Sequence, residues 1–189
     1  MKIQFNSIPW FIFRRGLLNL PSMNSLKTHQ EKYIIGHSRE QMYEIVTNIQ
    51  DYKLFLPWCQ NSYFVGSGSP KSERAEAVLD IGYQPFIESY KSVVTFKYPV
   101  MAKAVCKDGR LFKHLETLWL FHEVKQKNVI VPNVCRLEYQ LRFETSLSMV
   151  TAAVNSLLFD AVAKEMVNAF LKRARHIHGP PVIQPRKLG

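Results

Sequence analysis

The chain is expected to fold as one α+β domain, a curved antiparallel sheet of six to seven strands wrapped around a long C-terminal helix. Three observations predict this. Strand-like segments follow one another from about residue 75 to 145 with no helical stretch between them, and strands gathered in this way form an antiparallel sheet. Residues 134–145 alternate Cys135, Leu137, Tyr139, Leu141 and Phe143 with Arg136, Glu138, Gln140, Arg142 and Glu144. That is the pattern of a sheet with one dry and one wet face. From Ser148 to Ile177 there is no Pro or Gly and alanine is frequent, which predicts a helix of about eight turns.

Taken in order, residues 1–28 carry Lys2, Arg14, Arg15 and Lys27, no acid, and an apolar middle at Trp10–Phe13 and Leu17–Leu18. This composition matches an amphipathic mitochondrial presequence. A secretory signal fits less well, because Arg14 and Arg15 break the apolar stretch. The folded domain is expected over 29–178. Tyr33-Ile34-Ile35 reads as a short strand. Ser38-Arg39-Glu40-Gln41 has the form of a capping box, opening a helix with Met42, Ile45, Val46 and Ile49 on one face. A second short helix at 51–55 is stopped by Pro57. Strands follow at 75–83, 86–98, 100–107, 111–124 and 134–145, with Asp108-Gly109 as a hairpin turn. Gly179-Pro180-Pro181 ends the long helix, and 179–189 reads as a flexible basic tail.

Composition excludes several classes. No window reaches 18 consecutive apolar residues, so no spanning helix is expected. Cys59, Cys106 and Cys135 are odd in number and widely spaced, which fits neither a disulfide framework nor a structural zinc site. The net charge of +10 points to an anionic partner without choosing among membrane, nucleic acid and acidic protein.

The expected inward set is large and aromatic: Phe64, Phe96, Trp119, Phe121, Tyr139 and Phe143 from the strands, with Phe159, Val162, Met166 and Phe170 beside several alanines from the helix. Small residues facing large ones either interdigitate or leave room for a guest, and periodicity does not separate the two. On a helical wheel Lys164, Glu165, Asn168, Lys172 and Arg175 make a polar face. The same face two to three turns earlier is Val150, Val154, Leu157, Leu158 and Ala161. Either another element covers this apolar strip or it meets a membrane or partner. Lys164, Lys172, Arg173 and Arg175 beyond it would then meet anionic lipid.

Tyr52-Lys53-Leu54-Phe55-Leu56-Pro57-Trp58-Cys59 resembles the Y-x-x-F-L-P-W-C signature of the mitochondrial coenzyme Q-binding protein family. Further matching stretches are Glu88-Ser89-Tyr90-x-Ser92-x-Val94-Thr95, Leu115-x-x-x-Trp119-x-Phe121, the Cys135–Glu144 strand, and Met166-x-x-Ala169-Phe170-x-x-Arg173. The likeness runs from about residue 31 to 176 and extends more weakly to the START and polyketide-cyclase superfamily. It implies a helix-grip (START-like) fold around a hydrophobic cavity that binds coenzyme Q and its lipophilic precursors. It further implies support of respiration and quinone synthesis from the matrix side of the inner mitochondrial membrane, with respiratory complexes or quinone-synthesis enzymes as recipients. Carried over, Leu56, Pro57 and Trp58 sit at the cavity mouth, and Trp119, Phe121, Leu137, Tyr139, Leu141 and Phe143 line the sheet wall. Tyr63, Tyr139 and Ser156 are candidates to hydrogen-bond a quinone oxygen. A pocket of about 300–1,000 Å³ would hold the ring and a few isoprene units.

Catalysis would need an acid or base placed in the pocket. His37, His114 and His122 are scattered, Glu88 is the one candidate inward acid, and no GxSxG, HExxH or phosphate loop is present. No catalytic residue, metal or catalytic cofactor is expected. Nor is nucleic acid expected as a partner, since the bases of the regular strand alternate with acids as on a solvated face. A ribosome- or RNA-binding module of the same fold is the alternative.

Overall fold

The computed structural model describes residues 26–83, 86–106, 112–145 and 152–189; the side chains of 83, 86–88, 112, 145, 152–161 and 164 fall outside that description. The presequence up to residue 25, the Asp108-Gly109 turn and Val150 lie outside the described residues. So do the side chains of Glu88, Val154, Ser156, Leu157, Phe159 and Lys164.

Among the described residues eight strands form one antiparallel sheet: β1 (Lys27–Ile35), β2 (Cys59–Phe64), β3 (Arg74–Tyr83), β4 (Phe86–Lys97), β5 (Met101–Cys106), β6 (Phe112–Gln126), β7 (Val129–Thr145) and β8 (Arg186–Leu188). Their spatial order is β2-β3-β4-β5-β6-β7-β1-β8. The meander from β2 to β7 pairs each strand with the next, and β1 closes onto β7. Helices α1 (Arg39–Thr47) and α2 (Tyr52–Phe55) fill the β1–β2 connection, and α3 (Ala152–His178) follows β7. This is the expected helix-grip arrangement.

Local chemistry explains the elements that place the core. The capping box forms: Ser38 Oγ accepts from the Gln41 amide at 3.2 Å, and Gln41 Oε1 accepts from the Ser38 amide at 2.9 Å. It fixes the start of α1, which buries Met42, Tyr43, Ile45 and Val46. α2 ends at Phe55, and Leu56 is extended (φ −87°, ψ 116°), as a residue before proline must be. Ser62, buried on β2, donates to the Gln50 carbonyl and accepts from the Lys53 amide, both at 3.2 Å. Arg173 of α3 bonds Asp51 at 2.7 Å and lies over the Phe55 ring. α3 buries Ala163, Val167, Phe170 and Ala174, a helical-period stripe set against the concave face of the sheet.

Three expectations are corrected. β1 starts at Lys27, whose register partner is Phe143, not at Tyr33, so a boundary after residue 28 falls inside a paired strand. β2 was not foreseen; its apolar residues are too few and too interrupted by Gln60 and Asn61 for a clear period. The tail is not free over its whole length. β8 pairs with β1, and the Val182 amide donates to the Gly36 carbonyl at 2.9 Å. His37 Nε2 donates to the Gly179 carbonyl at 3.2 Å, and Lys187 bonds the buried Glu31 carboxylate. The basic tail supplies the countercharge and strand partners that the open edge of β1 lacks.

Candidate functional site

The dry face of the sheet is built in cross-strand rows. Phe96 faces Ala102, Ala102 faces Trp119, and Trp119 faces Tyr139. In the next row Val94 faces Ala104, Ala104 faces Thr117, and Thr117 faces Leu141. The small residues of β5 sit between large neighbours, so the wall is hollowed at its middle. Above the hollow lies a cavity of about 70 Å³. Its walls include Leu79, Tyr90, Ser92, Val94, Ala102, Ala104, Leu115, Thr117 and Trp119 from the sheet. Val46 and Ile49, with Tyr52, Leu56 and Trp58, close one side, and Met166 and Phe170 of α3 form the roof.

This cavity is far smaller than the pocket of about 300–1,000 Å³ expected for a drug-sized guest. Aromatic rings pack around it. Phe170 meets Trp119 with ring centroids 4.8 Å apart, Tyr52 at 5.2 Å and Phe55 at 5.0 Å. Among the described residues these rings close the cavity beneath the C-terminal half of α3.

Polar groups are few and buried. The Tyr52 hydroxyl donates to the Val46 carbonyl. Tyr139 has no exposed surface, and its hydroxyl has no partner among the described residues. Burial raises the pKa of Tyr139, and the nearby Tyr90, Glu31 and Tyr52 add to the rise, so the phenol stays protonated. Tyr52 and Tyr90 are raised for the same first reason. Beside Tyr139, the inner side of β1 carries His29, its ring centroid 6.5 Å away, and Glu31, its register partner. The Glu31 carboxylate takes bonds from Lys187 and from the Tyr33 hydroxyl at 3.2 Å, with His29 at 3.5 Å. The three cysteines are buried and free. Burial pushes the Cys135 thiol up to about 12 and raises that of Cys59. Among the described residues no group of His, Cys, Asp and Glu is arranged to hold a metal.

Of the residues expected at the site, Leu56, Trp58, Trp119 and Met166 line the cavity. Phe64, Phe96, Phe121, Leu137, Tyr139, Leu141 and Phe143 are buried, and Val162 partly so, in the core around it. Leu56 and Trp58 point in, while Pro57 between them is exposed and borders an outer groove with Leu54, Ala169 and Lys172. Leu56 to Cys59 is a turn closed by the Cys59 amide donating to the Leu56 carbonyl at 3.0 Å, and Pro57 sits at its outer corner. Tyr63, 43% exposed, faces away from the cavity between buried Ser62 and Phe64. Lys172 and Arg175 are exposed, but Arg173 is held by Asp51. His114 and His122 lie near Glu116 and Glu138, away from the cavity wall. Phe170 of the expected inward set lines the cavity too, and Tyr52, Tyr90, Ser92, Ala102 and Ala104 line it from outside that set. The signal was the period-two run Tyr90-x-Ser92-x-Val94-x-Phe96 facing the two alanines of β5.

Among the described residues no helix is long and apolar enough to cross a membrane. A family model described as polyketide cyclase / dehydrase and lipid transport matches residues 35–171. The chain is 38% identical over 174 residues to the mitochondrial coenzyme Q-binding protein COQ10 homolog B of Xenopus laevis, covering 90% of this chain and 68% of that one. It is 29% identical over 145 residues to the ribosome association toxin RatA of Escherichia coli, covering 77% and 85%. Its fold matches a START superfamily protein from Mycobacterium smegmatis with a TM-score of 0.65 at 14% identity, over 79% of this chain and 98% of that one. The COQ10 relatives are named as binding proteins and not as enzymes. With its signature segment folded against a cavity under the terminal helix, the chain belongs to the COQ10 family of the START/polyketide cyclase-like proteins.

Proposed function

We propose that this chain binds coenzyme Q and related polyisoprenoid lipids beneath α3, and serves as a carrier or chaperone supporting respiratory electron transport and coenzyme Q synthesis. The observation that carries the reading is the apolar cavity between Trp119 and the α3 residues Met166 and Phe170, in a chain of this family. A polyisoprenoid quinone leaves a bilayer only for an equally dry site, since each buried methylene is worth about 0.8 kcal/mol. A tail too long for such a site stays in the bilayer, so the ligand is handed over at a membrane surface rather than carried freely through water.

The place of action proposed is the matrix face of the inner mitochondrial membrane, reached by the basic, acid-free N-terminal segment and held peripherally. Lys172 beside exposed Leu54 and Pro57, together with exposed Arg175, supplies charge and apolar surface for an anionic bilayer. Val150, Val154, Leu157 and Lys164 remain candidates for the same contact. Respiratory complexes or quinone-synthesis enzymes would receive the ligand.

Organic extraction of the natively purified chain, followed by mass spectrometry, tests the proposal. A polyisoprenoid quinone near one-to-one is expected. An empty extract from folded protein that also takes up no added quinone would overturn it. The likeness to RatA supports a second reading, ribosome association, which predicts binding that collapses with added salt.

A further inference from the structure

We infer that the Tyr139 hydroxyl donates to a carbonyl oxygen of the bound quinone, so that the site takes the oxidised ring in preference to the reduced one; this rests on reading the chain as a quinone carrier. Tyr139 is fully buried and its hydroxyl lacks a partner among the described residues. A buried donor left unpaired is costly, and native folds rarely keep one without a use. The hydroxyl of Tyr52, which lines the cavity, is spent on the Val46 carbonyl. Tyr43 also has an unpartnered hydroxyl, but its ring packs on Tyr98, which is 66% exposed.

Tyr139 lies directly behind the cavity wall. It is the register partner of the cavity-lining Trp119, and their rings are 4.5 Å apart. A guest in the cavity reaches the Tyr139 hydroxyl when that indole turns aside.

The surroundings of Tyr139 set the preference. A quinone oxygen only accepts, which suits a protonated phenol. A reduced ring brings its own hydroxyl proton and needs an acceptor. The carboxylate of Glu31, the register partner of Tyr139 on β1, already takes a donor on each oxygen, Lys187 with His29 alongside on one and Tyr33 on the other.

The test compares the full chain with its Tyr139→Phe variant. Each is titrated with a two-isoprene ubiquinone analogue, oxidised and then reduced under anaerobic conditions, and with a ring-free isoprenoid alcohol of equal tail length. The oxidised quinone is expected to bind the variant roughly ten-fold more weakly, the loss of one hydrogen bond. The ring-free alcohol should bind both proteins equally, and the unchanged chain should prefer the oxidised ring. The ligand-free variant should melt no lower than the unchanged chain, because the hydroxyl it loses has no partner. Equal affinity of both proteins for the oxidised quinone overturns the inference. So does a preference for the reduced ring, or a lowered melting temperature of the variant. A chain that binds neither quinone nor alcohol overturns the carrier reading itself.

Discussion

Trp119 on β6 and Phe170 on α3 meet with ring centroids 4.8 Å apart and planes inclined at 56°, and this contact joins the floor of the cavity to its roof. Phe170 is 1% exposed and also touches Tyr52 and Phe55. Phe170→Ala is expected to cost about 3–5 kcal/mol of stability, read from urea denaturation. A cost below about 1 kcal/mol would mean that α3 is held to the sheet elsewhere.

The cavity can be filled from the wall. Ala104 faces the cavity between Val94 and Thr117, and leucine there adds three carbons to a space of about 70 Å³. Ala104→Leu should change stability by no more than about 1–2 kcal/mol, because the added volume enters a void rather than a packed core. It should sharply reduce quinone uptake in a binding titration. Normal uptake by a folded variant would place the ligand elsewhere.

The C-terminal strand depends on a glycine. A Cβ on Gly36 would lie 2.4 Å from the Ile183 backbone nitrogen and 2.8 Å from that of Val182, and backbone cannot yield as a side-chain end can. Gly36→Ala should release the tail from β1. Limited proteolysis then removes residues after Gly179 faster than in the unchanged chain, while cleavage within the sheet stays slow. Equal cleavage would show that the tail tolerates the added atom.

Alkaline pH should weaken the fold. Cys135 titrates at about 12 when folded against an ordinary value of 9.0, and Tyr52, Tyr90 and Tyr139 are raised above 10.0. Between the unfolded and folded values the native state holds more protons, so stability is full below pH 9 and falls as pH rises through that window. Denaturant midpoints measured from pH 8 to 11 should decline, and Cys135→Ala should decline less steeply. The same burial predicts that Cys59, Cys106 and Cys135 resist thiol reagents until the protein is unfolded.

Much of this fold was legible because its signals are local. The β7 alternation, the Ser38–Gln41 capping box and the uninterrupted α3 stretch each fix an element by side-chain period or a short hydrogen-bond pattern. β1 was read too short because its inward residues include His29 and Glu31, whose burial depends on Lys187, 156 positions away from Glu31. β8 was missed for the same reason. The cavity wall was partly legible: Leu56, Trp58, Trp119 and Met166, singled out from the sequence, line it. Phe170 appeared as a large partner of the helix alanines, but its part in closing the roof depends on Trp119, Tyr52 and Phe55 meeting it in space. The size of the cavity was not legible, because it depends on how these rings pack.

The most direct test of the central claim uses the tryptophans that line the cavity. A short-chain oxidised ubiquinone is titrated into the full chain while tryptophan emission is followed, in parallel with a Trp119→Phe variant. The account predicts saturable quenching at one quinone per chain, smaller in the variant and unchanged by added salt. Linear, unsaturable quenching of equal size in both proteins would contradict a quinone site beneath α3.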